Sequence, residues 1–318
     1  MELERMHADA GTEPGTRDSR PRFGIVPDGR APFSTSSICP IRHTYHLHPL
    51  LQLPALAELA VELTPTNQCR YIEPGTRQDS EFHHESADPA GRGVTEVFRD
   101  IERPGSWIAL YNVETVPRYR ELLETIIDGV RPLVEPTQPG IFNVGGFIFI
   151  SAPPSVTPFH IDRENNFWLQ IAGRKIMDVW DPSDRRVVAG ADRERFIVNR
   201  SLENVRLRDE FRTLSHHFDV GPGDGVYFPS TSPHMTRSDR DWVRPGDGVS
   251  ISIGVVFYTS VTRRQAYVHA CNAFLRRLGM NPADPGPTTR SDPLKHLFGR
   301  LLIAYRHRLR GYKLVAGM

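Results

Sequence analysis

The sequence predicts a mostly β fold with flanking helices: a sandwich or barrel core over about 141–259, with helical additions before and after it. Three patterns predict this. From Ile141 onward, short β-rich runs are divided by Gly and Pro turns. Ahead of them, leucines recur at helical spacing. Beyond Thr262 the helical spacing returns.

Residues 1–32 are polar and rich in Gly, Pro, Arg and Asp, and read as a mobile N-terminal arm. Leu50, Leu51, Leu53, Leu56, Leu59, Ala60 and Leu63 mark a helix that Thr64-Pro65 ends. Residues 73–92 read as a loop and Ser106 to Tyr111 as a strand. Pro117 to Val130 forms a second helix, with Leu122, Leu123, Ile126, Ile127 and Val130 on its apolar side. The core strands are Phe147 to Ser151, Asn166 to Ile171, Lys175 to Trp180, Val226 to Pro229 and Val249 to Tyr258. Tyr267, Ala270, Phe274, Leu275 and Leu278 then form one helical stripe. After Pro293, Leu294, Leu297, Phe298, Leu301, Leu302, Tyr305, Leu309 and Tyr312 form another, suited to a core or to a dimer interface. The expected organisation is thus an arm at 1–32, one domain at 33–260 and a helical extension at 261–318.

The 318 residues are 39% hydrophobic, enough for one barrel core with additions. Lys and Arg number 39 against 38 Asp and Glu, so no nucleic-acid or membrane-surface partner is expected. Cys39, Cys69 and Cys271 are distant and odd in number, which suits a reducing cytoplasm rather than a disulfide framework. Met1 to Arg22 lacks the apolar core of a signal peptide. No run approaches the roughly 20 apolar residues of a membrane span. The sequon at Asn199 is therefore read as a chance match.

The most informative segment is Thr157-Pro158-Phe159-His160-Ile161-Asp162. On a strand, residues two apart point to the same side, so His160 and Asp162 aim at one point. They are two-thirds of the two-His-one-carboxylate triad that holds non-haem iron. His234, shortly after the turn at Gly221 to Gly225 and the strand Val226 to Pro229, is the third ligand expected to fold back beside them. If Ala172-Gly173 is a two-residue hairpin turn, Gln170 faces Lys175 and Trp168 faces Met177. Lys175 then shares a face with Asn166, Trp168, His160 and Asp162. A lysine inside a barrel needs an anion, because a buried unpaired ammonium is costly. The distal carboxylate of 2-oxoglutarate is a natural partner, with Thr157 placed to donate a hydroxyl. In Val249 to Gly254, small polar residues alternate with apolar ones, as in a pocket wall.

The remaining histidines carry weaker signals. His43, His46 and His48 lack nearby carboxylates and read as a packed or solvated cluster. His83-His84 and His216-His217 read as surface pairs. Gly221 to Gly225 lacks the Lys-Ser/Thr ending of a phosphate loop. Arg306, His307, Arg308 and Arg310 read as the polar face of a helix.

From Thr157 through His160, Asp162, Asn166, Phe167, Gln170, Ile171 and Gly173 to Lys175, the chain resembles the Jumonji-C-type, cupin-like oxygenases. Among them it is similar to the asparaginyl hydroxylase that inhibits the hypoxia-inducible factor. Gly223, Asp224, Tyr227, Pro229 and His234 resemble the family's second metal motif. The resemblance spans about 141–259. It implies a double-stranded β-helix, or jelly roll, holding Fe(II) through His160, Asp162 and His234. It implies that Thr157 and Lys175 hold 2-oxoglutarate, with Asn166 a further contact. The family uses O2 to convert 2-oxoglutarate to succinate and CO2 while hydroxylating a C–H bond, or demethylating where that carbon sits on nitrogen. Relatives that pair through C-terminal helices make a homodimer the expectation. One departure is an apolar residue in Ile253 to Tyr258 where the relative carries an asparagine.

The expected function is accordingly hydroxylation of an unactivated C–H bond in a peptide or protein side chain. The rivals are a free amino acid or natural-product substrate, N-methyl demethylation, a non-catalytic cupin-like regulator or sensor, and a non-redox cupin isomerase. An intact triad together with Lys175 favours the oxygenase.

Overall fold

The computed structural model describes residues 23–29, 31–72, 75–83, 85–239, 248–286 and 289–310. Most of the expected N-terminal arm lies outside these residues, as do His84 and Tyr312 and the side chains of Leu309 and Arg310.

The described strands are β1 (Ile25–Pro27), β2 (Cys39–His43), β3 (Cys69–Tyr71), β4 (Trp107–Leu110), β5 (Phe142–Ser151), β6 (Ser155–His160), β7 (Asn165–Ala172), β8 (Lys175–Val179), β9 (His216–Val220), β10 (Asp224–Phe228), β11 (His234–Ser238) and β12 (Ser250–Tyr258). They form two antiparallel sheets. The large sheet runs β1-β2-β10-β7-β12-β5-β4-β3 and the small one β6-β11-β8-β9. From β5 to β8 the chain changes sheet at every strand, so neighbours in sequence lie opposite one another rather than side by side.

This corrects the expected Ala172-Gly173 hairpin. β7 pairs with β10 and β12, while β8 pairs with β11 and β9 in the other sheet. The connection is a corner between sheets. Gly173 sits there at φ 63°, and a Cβ on it would stand 2.8 Å from the Val249 carbonyl oxygen. Only glycine tolerates both that backbone and that approach. Lys175 still reaches the face of Asn166 and Trp168, because the inner faces of two opposed sheets meet.

The helices are α1 (Leu53–Leu63), α2 (Val94–Arg99), α3 (Pro117–Val134), α4 (Gly190–Asn199), α5 (Ser260–Arg277) and α6 (Asp292–Arg310). Leu56, Leu59 and Leu63 of α1 and Leu123, Ile126 and Ile127 of α3 bury the outer face of the large sheet against Ile148, Ile150, Ile253, Val255 and Phe257. Each such side chain removed from water contributes about 1.5–3 kcal/mol. The outer face of the small sheet, with Phe159 and Met235, packs on Phe196 of α4 and on Val187, Val205 and Leu207. Between the sheets, Trp168, Met177, Val179, Val226 and Phe228 fill one part with apolar side chains. Elsewhere between the sheets polar side chains such as Thr157, His160, Asn166 and Lys175 meet the aromatic rings of Phe147 and Phe149.

A capping box formed by Thr259 and Thr262 starts α5. Helix α6 crosses α5 at Gly299, where a Cβ would collide with the Tyr267 carbonyl. Its stripe does not join the core: Leu294, Leu297, Phe298, Leu301 and Tyr305 are exposed, Leu294 at 75%. No helix among the described residues is long and apolar enough to cross a membrane.

Candidate metal centre

Antiparallel pairing of β6 with β11 sets His234 directly opposite His160. The cross-strand neighbours have ring centroids 4.1 Å apart. Asp162 follows just past β6. Its Oδ2 lies 3.5 Å from His234 Nε2 and 4.0 Å from His160 Nε2. The three ligand atoms all fall within 4.8 Å of one another, and both imidazoles are buried.

The backbone fixes the tautomers. His160 Nδ1 lies 2.7 Å from the Pro158 carbonyl oxygen and His234 Nδ1 lies 3.0 Å from that of Ser232. A carbonyl only accepts, so each Nδ1 carries a proton, and in the neutral ring Nε2 is the atom whose lone pair faces the site. Burial, reinforced by the neighbouring His160, holds His234 well below the usual histidine range. Burial pushes the Asp162 carboxyl up, with His160 opposing. Two imidazole Nε2 atoms and a buried carboxylate form a donor set that a metal ion would complete, reversing the cost of burying the charge.

The loop before β11 is tied to the Asp162 segment. Thr231 N–H donates to the Asp162 carbonyl at 2.8 Å, and Ser230 Oγ donates to the Arg163 carbonyl at 2.7 Å. Buried Asn165 accepts from Ser230 N–H at 3.0 Å. Sequence reasoning did not find these supports. A short polar segment before a ligating histidine was their only signal.

Lys175 opens β8 at 1% exposure, and among the described residues its ammonium makes no hydrogen bond or ion pair. Burial lowers its ammonium to about 8. It lines one cavity with Thr157, His160, Asp162, Asn166, Trp168, His234, Thr236, Ser252, Phe147 and Phe149. Thr157 pairs directly with Thr236 across β6 and β11. Among the described residues, Asn166 Oδ1, Thr236 Oγ1 and Ser252 Oγ are buried without partners. Orphan polar atoms converging beside an unpaired ammonium have the chemistry to meet an anion with several oxygens. Asn166 fits because Gly254 faces it; a Cβ there would stand 3.2 Å from both amide atoms.

The structure thus brings all six expected site residues together: His160, Asp162, His234, Thr157, Lys175 and Asn166. Thr236 was overlooked, although it lies two residues beyond His234 and therefore on the same strand face. Phe82 was also overlooked; it stacks on His160 with centroids 4.3 Å apart, and no local pattern marks it.

His43, His46 and His48 have structural tasks. His43 Nε2 bonds the Asp224 carbonyl at 3.1 Å, and burial lowers the ring to about 4. His46 Nδ1 meets the His43 carbonyl at 3.3 Å, and His48 accepts from Leu50 N–H at 3.2 Å. A second cluster, Glu194, His269 and Asp284, is also close-packed. There Arg276 pairs with Glu194, while Arg185 and Arg193 pair with Asp284. Three guanidiniums against two carboxylates make a field that repels a cation, and His269 is lowered to about 3 by burial and these arginines. It is a structural network.

No known protein-family pattern matches the chain, and no curated protein matches it. Among solved structures it is similar to YcfD, a ribosomal oxygenase from Escherichia coli, at 17% identity and a TM-score of 0.40, covering 83% of this chain and 59% of that one. The complex of YcfD with cobalt and 2-oxoglutarate gives 16% identity and 0.41, with 83% and 62% covered. A DMSP lyase, DddQ from Ruegeria pomeroyi, gives 16% identity and 0.21, covering 36% and 37%. The chain spans less than two thirds of the length of each of these relatives.

Proposed function

We propose that this chain is an Fe(II)- and 2-oxoglutarate-dependent oxygenase that hydroxylates an unactivated C–H bond, releasing succinate and CO2. One observation carries the reading: His160, Asp162 and His234 converge beside a buried, unpaired Lys175. In this reading β5 to β12 form a double-stranded β-helix, four strands in each sheet. Two imidazoles and one carboxylate are the donor set that suits Fe(II) and leaves room for a co-substrate and O2.

Bound iron would supply the oxidising chemistry with O2 and 2-oxoglutarate. The chain's own residues bind and orient. Lys175 pairs with the distal carboxylate of 2-oxoglutarate, and Thr157 and Thr236 donate hydroxyls to it. Asn166 offers its amide to the same co-substrate. Phe82, Phe147, Phe149 and Trp168 keep water from the cavity. Catalysis in this scheme uses no protein general base. The substrate is a peptide or protein side chain, a choice resting on the resemblance of the Thr157–Lys175 segment. The protein acts in the cytoplasm as a homodimer joined through the exposed stripe of α6.

The test is anaerobic addition of Fe(II) and 2-oxoglutarate. A visible charge-transfer band and, on admitting O2, formation of succinate are expected. A protein that gives neither is not this enzyme.

A further inference from the structure

Beyond the metal, the inner face of the large sheet continues over β4 and β3. Cys69 and Tyr71 face the core against the helices, so alternation turns Arg70 to the opposite side, that of the cavity. Arg70 pairs directly with Ala109, and Ala109 with Phe149 of the cavity wall. Ala109 is the small residue in this row. Trp107 and Tyr111 flank it, Trp107 lying 5.9 Å from Phe149 and Tyr111 5.0 Å from Phe147 between centroids. The row is therefore a packed aromatic cluster, with Ala109 fully buried in it, that runs along the sheet face from half-buried Arg70 to Phe149 of the cavity wall.

Two donors along this row lack partners among the described residues: the half-buried Arg70 guanidinium makes no ion pair or hydrogen bond, and the buried Trp107 Nε1 has no acceptor. Burial pushes the Tyr111 hydroxyl up, Asp162 adds to this and Arg70 opposes it. Tyr111 is thus within electrostatic reach of both the metal-binding carboxylate and Arg70.

We propose that Arg70 reads a carboxylate on the substrate, so that this site takes an acidic substrate. The inference rests on the oxygenase reading. The distal carboxylate of 2-oxoglutarate already has Lys175, which enters from the small sheet. Arg70 stands two strands from β5, about 10 Å at the usual strand spacing, so it guards the rim where a second molecule enters. A guanidinium presents a planar pair of N–H donors that matches a carboxylate and is weakly hydrated, which suits it to such a half-buried position.

Full-length iron-loaded protein with 2-oxoglutarate in air is offered matched probes. One arm uses short peptides bearing Asp or Glu against their Asn or Gln counterparts. The other uses small free acids against their primary amides. Succinate formed above the probe-free rate is read. Acids are expected to stimulate at least tenfold more than the matching amides, and the responding arm tells whether the carboxylate belongs to a peptide or a free acid. Arg70→Gln should erase the preference, and Arg70→Lys should keep part of it. Equal stimulation by acid and amide, survival of the preference in Arg70→Gln, or no stimulation by any acid overturns the assignment. Wild-type protein that gives neither a charge-transfer band nor succinate fails the oxygenase reading itself. A band without acid preference fails only Arg70.

Discussion

His234 stands directly across the β6–β11 ladder from His160, their ring centroids 4.1 Å apart. With both Nδ1 atoms engaged by backbone carbonyls, the Nε2 lone pairs and the Asp162 carboxylate are what the triad presents to a cation. Asp162→Ala and His234→Ala are each expected to weaken cobalt(II) binding by about 100-fold or more, since losing a ligand exceeds losing its supporting hydrogen bond. Both should abolish succinate formation. Cobalt titration followed by absorbance checks this, and unchanged affinity in either variant would falsify the ligand assignment.

In the proposed oxygenase, Lys175 would set affinity for 2-oxoglutarate. Lys175→Ala should raise the 2-oxoglutarate requirement by roughly tenfold or more while metal binding persists. The free ammonium titrates at about 8. Above that pH the amine is neutral and must take up a proton to pair with a carboxylate. Affinity for 2-oxoglutarate should therefore fall about tenfold per pH unit beyond 8. Isothermal titration with an inert 2-oxoglutarate analogue across pH 7 to 10 reads it, and a flat profile would remove Lys175 from the pocket.

The same group withholds stability. Its pKa drops from 10.5 in the unfolded chain to about 8 in the fold. Between these values the folded form binds fewer protons, so stability rises as pH climbs through that window. Below about 8 the whole cost is present, on the order of 3 kcal/mol. Lys175→Met should match or exceed the parent in Tm at pH 7 while losing 2-oxoglutarate binding. A clearly lower Tm at neutral pH would show that the ammonium has a partner.

The legible parts of this molecule were those written in strand alternation and helical spacing. His160 and Asp162 announced themselves because two residues apart on a strand is one face, and α1 and α3 because leucines and isoleucines repeat with the helix. Strand alternation puts Lys175 in the pocket only through an Ala172-Gly173 hairpin, which the fold does not form. The conclusion survived because opposed inner faces, like cross-strand neighbours, look into the same space. Strand pairing is non-local, and nothing near Gly173 states which sheet comes next. Phe82 was illegible for the same reason: a loop residue stacked on His160 owes its position to distant contacts, such as Phe159 N–H donating to the Gln78 carbonyl at 3.1 Å.

Gly173 is the corner that delivers Lys175 to its place. An alanine there meets the Val249 carbonyl at 2.8 Å and the Ser250 Cα at 2.9 Å, at a positive φ. Left-handed strain and overpacking together should cost about 2–4 kcal/mol. Gly173→Ala is expected to lower Tm by roughly 5 °C or more and to weaken 2-oxoglutarate binding through Lys175. Wild-type values for both would mean that the corner is slack.

Along α6, Leu294, Leu297, Phe298, Leu301 and Tyr305 share one exposed face, with Leu301 at 61%. A large contiguous apolar patch on a protein surface marks an interaction site. Gly299 holds α6 against the backbone of α5, so the stripe sits on a supported helix rather than a loose tail. Light scattering should give the mass of a dimer at micromolar concentration. Leu297→Glu with Leu301→Glu should give a monomer of unaltered secondary structure, because neither side chain packs in the core and surface changes cost within about 0.5 kcal/mol. A native protein that is monomeric throughout this range refutes the α6 interface.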